Sequence, residues 1–126
     1  MAKIIIVDDN KDIVDTLNSI MKRMGYKTEL AYDGKEFLDK VEKVKPDLVL
    51  LDVMMPGPTT KEILEKLKKM GLSNLKVILV TVVRFSNDER DLLMKEYKVV
   101  DYITKPFSVP DLMDRVKKQL AGGEIW

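Results

Sequence analysis

Five times along this chain a short run of aliphatic residues is followed by a stretch in which apolar residues recur every three or four positions. The first run is "KIIIV" (3–7); after it Ile13, Val14, Leu17, Ile20, Met21 and Met24 keep helical spacing up to Gly25. "KTELA" (27–31) precedes Asp33 and Glu36, a capping pair, and a stripe of Phe37, Leu38, Val41 and Val44 that Pro46 closes. "DLVLL" (47–51) leads to a helix capped by Thr59 with Glu62, carrying Ile63, Leu64, Leu67 and Met70 and stopping at Gly71. "LKVILV" (75–80) is followed by the box Ser86 with Glu89 and a stripe of Leu92, Leu93 and Tyr97. "VVDYI" (99–103) is followed by Ser108 with Asp111 and by Leu112, Val116 and Leu120.

Strands that are apolar throughout, rather than alternating, are covered on both faces. With helices between them they predict a parallel sheet, and right-handed crossovers make it a doubly wound α/β domain. A length of 126 residues suits one core. The expectation is a single domain over 1–126, with its core in 2–121, a loose tail at 122–126 and no second output domain.

Composition removes whole classes of chemistry. There is no cysteine and no histidine, which excludes thiolate catalysis, disulfides, Ser-His-Asp triads and His- or Cys-bound zinc. It also means that this chain cannot itself carry a phosphohistidine. Lys and Arg number 22 against 21 Asp and Glu, with no long block of one sign, so the sequence offers no nucleic-acid or lipid-headgroup footprint. Arg115, Lys117 and Lys118 form a small cluster that reads as a solvated helix face. No apolar run approaches the roughly 20 residues of a membrane span, and "MAKIIIVDDN" is no signal peptide, so a cytoplasmic protein is expected.

In a doubly wound sheet, ligands bind beyond the carboxyl ends of the strands, where strand order reverses. Asp8 and Asp9 follow the first strand, Asp52 the third and Thr81 the fourth, and Lys105 lies just past the fifth. Asn10 suffices to cap the first helix, which leaves Asp8 and Asp9 surplus to the turn. No G-x-G-x-x-G follows the first strand and no P-loop occurs anywhere. Oxygen donors without His or Cys favour a hard cation, and Mg²⁺ is the one that takes a few carboxylates with waters and phosphate oxygens.

"IIIVDDN", "LVLLDVMMP", Thr81 after "VILV" and "DYITKPF", in this order and at these strand ends, resemble the receiver domain of two-component response regulators over residues 2 to 121. The resemblance implies a five-stranded (βα)5 sheet in the flavodoxin-like order 2-1-3-4-5. It implies Asp52 as phosphoacceptor, Mg²⁺ held by Asp8, Asp9, Asp52 and the backbone carbonyl of Met54, and Lys105 as a charge-neutralising lysine before a cis Lys105-Pro106 bond. Thr81 and Tyr102 become a switch pair acting on the face of the fourth helix, fifth strand and fifth helix. The implied partner is a histidine kinase or histidine phosphotransfer protein. The chain is then a monomer or a phosphorylation-dependent dimer, and an acceptor with intrinsic autodephosphorylation rather than an enzyme on a separate substrate.

Two other readings compete. A Mg²⁺-dependent phosphohydrolase built on an aspartyl phosphate needs an acid two residues after its nucleophile, where this chain has Met54. An unphosphorylated interaction module is disfavoured by the complete acceptor set. The chain departs from the family pattern at Val82, where a small residue is usual, at Thr59 and Thr60 in place of an acid and glycine, and at Lys98 and Val99 before and at the start of the fifth strand. The Met54, Met55 pair reads as packing. Because Met54 and Val83 are apolar at positions that, by the resemblance to the family, influence attack by water, a long-lived phosphoaspartate is expected.

Overall fold

The five apolar runs become strands of one parallel sheet in the computed structural model, which describes residues 2–120. In chain order the elements are β1 (Lys3–Val7), α1 (Lys11–Arg23), β2 (Lys27–Ala31), α2 (Gly34–Val44), β3 (Leu48–Leu51), α3 (Thr60–Lys69), β4 (Lys76–Thr81), α4 (Asn87–Glu96), β5 (Val99–Thr104) and α5 (Val109–Leu120). The strand order is β2-β1-β3-β4-β5, as expected. The expected tail, 122–126, lies outside the described residues.

Side chains alternate across a strand, so each apolar run feeds two cores. Ile5, Val7, Val49, Leu51, Val77 and Leu79 pack with Phe37 and Val41 of α2 and Ile63 and Leu64 of α3. Ile4, Ile6, Leu48, Leu50, Ile78 and Val80 pack with Val14 and Leu17 of α1 and Leu112 and Val116 of α5. Each fully buried aliphatic side chain contributes about 1.5–3 kcal/mol relative to exposure, which is why β1 and β3 hold fixed positions.

The helix ends follow the capping residues. Thr59 with Glu62 and Ser86 with Glu89 form reciprocal boxes. Asp33 accepts from the Glu36 N–H at 2.7 Å, whereas Glu36 accepts from the N–H of Tyr32 and pairs with Lys40 at 2.8 Å. Those partners hold the Glu36 carboxyl below its usual pKa, Lys40 contributing most.

The fourth helix differs from the stripe read in the sequence. Leu92 is 52% exposed and α4 buries no residue; Tyr97 is buried, but it caps the helix in an extended conformation instead of continuing it. In a helix this rich in charge, Leu93 is the apolar residue packed against the core, and Tyr97 lies beyond the helix end.

β4 and β5 change register between Val77 and Ile78: Val77 lies opposite Val99, yet Ile78 lies opposite Asp101. Val100 is thus an extra residue, and a one-residue slip reverses the face of everything after it. Tyr102 therefore lies opposite Leu79 and packs on the α4 side.

Candidate functional site

The pairings Val7 with Leu51 and Leu51 with Leu79 bring three strands to an end almost level. Beyond them the backbone continues to pair: Asp8 N–H donates to Ala31 O at 3.1 Å, Asp52 N–H to Val7 O at 3.0 Å and Lys105 N–H to Thr81 O at 2.9 Å. Each functional side chain thus leaves a fixed backbone. Strand order reverses between β1 and β3, and the residues that follow them are Asp8 and Asp52.

Carboxylate oxygens of Asp8, Asp9 and Asp52 lie within 4.8 Å of one another. Asp8 and Asp52 are buried, and Asp9 is exposed. The Lys105 ammonium is 2.6 Å from Asp8 Oδ2 and 3.8 Å from Asp52 Oδ2. The other oxygens face backbone donors: Asp8 Oδ1 accepts from the Asn10 N–H at 3.0 Å, and Asp52 Oδ1 from the Met54 N–H at 3.2 Å. Asn10 caps α1 by accepting from Asp12 and Ile13, as its position suggested.

Burial pushes the Asp52 carboxyl above its ordinary pKa, and Asp8 adds to this; the Met54 N–H, the Lys105 ammonium and the Thr81 hydroxyl work against it. Thr81 is itself buried, and its Oγ1 accepts from the Val83 N–H at 3.2 Å. Three acids with one ammonium between two of them leave an excess of negative charge on oxygen donors. Such a set fits a hard divalent cation.

Of the residues singled out in the sequence, Asp8, Asp9, Asp52, Thr81 and Lys105 come together here, and the Lys105-Pro106 peptide is cis. Met54 meets Asp52 through its N–H, and its side chain is 58% exposed, so it is not the packing residue the sequence suggested; Met55 is partly buried against the core. Val82 also stands exposed, at 56%. Tyr102 has different company. Its hydroxyl donates to the Arg90 carbonyl at 3.2 Å, its ring lies 5.6 Å from that of Phe85, and the Arg90 guanidinium sits 4.9 Å above it. Phe85 and Arg90 escaped the sequence reading because neither lies at a strand end.

A model of the response regulator receiver domain family matches residues 4–117. The chain belongs to that family. The receiver is similar to a CheY-like response regulator receiver domain protein of Methanospirillum hungatei, at 31% identity and a TM-score of 0.85 over 97% of this chain and 95% of the other. It is similar to the response regulator TrrA of Thermotoga maritima, at 32% identity and a TM-score of 0.79 over 94% and 99%. The structure of TrrA is of its complex with Mg²⁺ and BeF. Chemotaxis protein CheY4 of Vibrio cholerae is 26% identical, with a TM-score of 0.83 over 94% and 98%. Among the described residues of the receiver, no helix is long and apolar enough to cross a membrane.

Proposed function

We propose that this receiver takes a phosphoryl group onto Asp52 from the phosphohistidine of a histidine kinase or histidine phosphotransfer protein. The observation that carries the reading is the buried junction of Asp8, Asp52 and Lys105, with Asp9 at its rim. Asp8, Asp9, Asp52 and the Met54 carbonyl would hold Mg²⁺. When bound, the ion supplies positive charge that offsets the acids and the charge on the transferring oxygens.

The rest falls to the chain's own residues. Attacking as its carboxylate, Asp52 needs no general base: its oxygen forms the new P–O bond as the P–N bond breaks, and the imidazole leaves with the bonding pair and takes up a proton. Lys105 bridges the two buried acids and is placed to follow charge onto the phosphoryl oxygens. The Thr81 hydroxyl, beside Asp52, can donate to the phosphoryl group, drawing the segment after β4 inward. That segment leads to Phe85 and, through α4, to Arg90, the partners of Tyr102, so the switch acts by shifting the population in which Tyr102 is held against α4. The phosphoaspartate then hydrolyses on this same chain, which turns over no separate substrate.

The phosphohydrolase alternative lacks its acid, because the residue two past Asp52 is Met54, whose side chain is turned to solvent. Incubation with acetyl phosphate and Mg²⁺, followed by intact mass, tests the proposal. A gain of one phosphoryl group in the parent and none in Asp52→Asn is expected; an unchanged parent mass would instead support an interaction module.

A further inference from the structure

At the end of the sheet opposite Asp52, the fold gathers cations that the sequence spaces a whole element apart. Every helix carries Lys or Arg in its last turn, doubled in α1 (Lys22, Arg23) and α5 (Lys117, Lys118) and tripled in α3 (Lys66, Lys68, Lys69). Lys3, Lys27 and Lys76 open β1, β2 and β4, and Lys98 precedes β5. Among the described residues the acids at this end are Glu42, Asp47, Glu65 and Glu96; Asp47 already accepts from the Lys3 backbone N–H at 2.9 Å, and Glu65 from the Tyr97 hydroxyl.

Favourable charge at helix C-termini accounts for one cation per helix. It does not account for the doubled pairs, nor for Lys27 and Lys98, which lie outside the helices. Lys3 and Lys76 are engaged in donating to the carbonyls of Val44 and Gln119. Lys22, Arg23, Lys27, Lys98, Lys117 and Lys118 are exposed, and the ion pairs of the described residues all lie elsewhere, on Lys40, Lys105 and Arg115.

Geometry narrows the partner. Five strands at about 4.8 Å, with a helix layer of about 10 Å on each face, spread these charges over a plane roughly 20 by 30 Å. Among the described residues no element projects from it to enter a groove, and the rings of Tyr26 and Tyr97 are partly or fully buried, so these residues provide neither base readout nor base stacking. A broad flat field of cations matches a flat field of anionic headgroups. We propose that this basic end docks on an anionic lipid bilayer, lying on it without crossing, with the Asp52 end turned to water. The surface is independent of the phosphoacceptor reading.

Co-sedimentation of the full chain with vesicles tests it. With about one-third phosphatidylserine in phosphatidylcholine, binding at about 0.1 M salt and release at about 1 M are expected, with no binding to phosphatidylcholine alone. Replacing Lys22, Arg23, Lys117 and Lys118 together by Ala should weaken binding by about a hundredfold or more while thermal stability is kept. Removing as many exposed cations from the other end (Lys11, Lys35, Lys61 and Arg84 to Ala) should weaken it far less. Absent or salt-insensitive binding, equal loss in the two quadruple variants, or tighter retention by duplex DNA at the same salt would overturn the proposal.

Discussion

Lys105 is the cation on which the buried acids depend, and removing its charge probes the site directly. In Lys105→Met the apolar stem keeps most of its volume while the ammonium is lost. That charge stands 2.6 Å from Asp8 and 3.8 Å from Asp52. At an effective dielectric of about 20, these separations correspond to roughly 6 and roughly 4 kcal/mol of attraction. Much of this is offset by the desolvation of the three groups, and breaking such a pair from one side costs about 3–5 kcal/mol. For a domain of this size the loss is on the order of 10 °C in Tm. Urea and thermal unfolding in EDTA at neutral pH would measure it for the parent, Lys105→Met, Asp8→Asn and the double variant. Because Asp8 makes the closer contact, adding Asp8→Asn to Lys105→Met should recover much of the loss. A Lys105→Met protein within about 0.5 kcal/mol of the parent, the range of an ordinary surface change, refutes the electrostatic account. So does a double variant no more stable than the single one.

Other perturbations reach further parts of the molecule. The Tyr97 hydroxyl donates to Glu65, and that bond chiefly pushes the phenol up to about 12 from its ordinary 10.0. Its contribution is therefore complete below about pH 10 and lost as pH rises towards 12; urea titrations across that window should show a steeper loss of stability in the parent than in Tyr97→Phe. Ser86→Ala should cost about 1 kcal/mol. Because α4 buries no residue, amide exchange in 87–96 should accelerate well before the sheet is affected, and uniform acceleration would count against the cap as the main support. Loaded with phosphate, the parent should release it several-fold more slowly than the combined Met54→Asn, Val83→Glu variant; equal or faster release would show that apolar bulk there does not protect the acyl phosphate.

Strand ends were legible in the sequence because each apolar run stops at a residue whose type breaks the pattern, as Val7 gives way to Asp8 and Leu51 to Asp52. Parallel pairing then places those residues side by side. The boxes at Thr59 and Ser86 were equally legible, since two residues at fixed spacing satisfy each other locally. The position of α4 was not, because three apolar residues in a charged helix do not say how deeply it sits, and Leu92 turned out exposed. The partners of Tyr102 were hidden for a related reason: Phe85 and Arg90 reach it through a loop and a helix face, not through register. Nor does any residue type announce the slip at Val100, a β-branched residue like its neighbours.

That slip makes the wiring of β5 a matter of parity. With Val100 present, the side chains of Tyr102 and Ile103 serve the α4 side and the α5 side of the sheet respectively. Deleting Val100 would leave Val99, Asp101 and Tyr102 in unbroken register with Val77, Ile78 and Leu79, so the tyrosine would keep its side; drawing Val100 into the ladder opposite Ile78 would instead exchange the two, sending the tyrosine towards α5 without changing any chemical group near Asp52. Substitution can strengthen or weaken the link between acceptor and helix; whether Val100 stays outside the ladder decides which helix receives it.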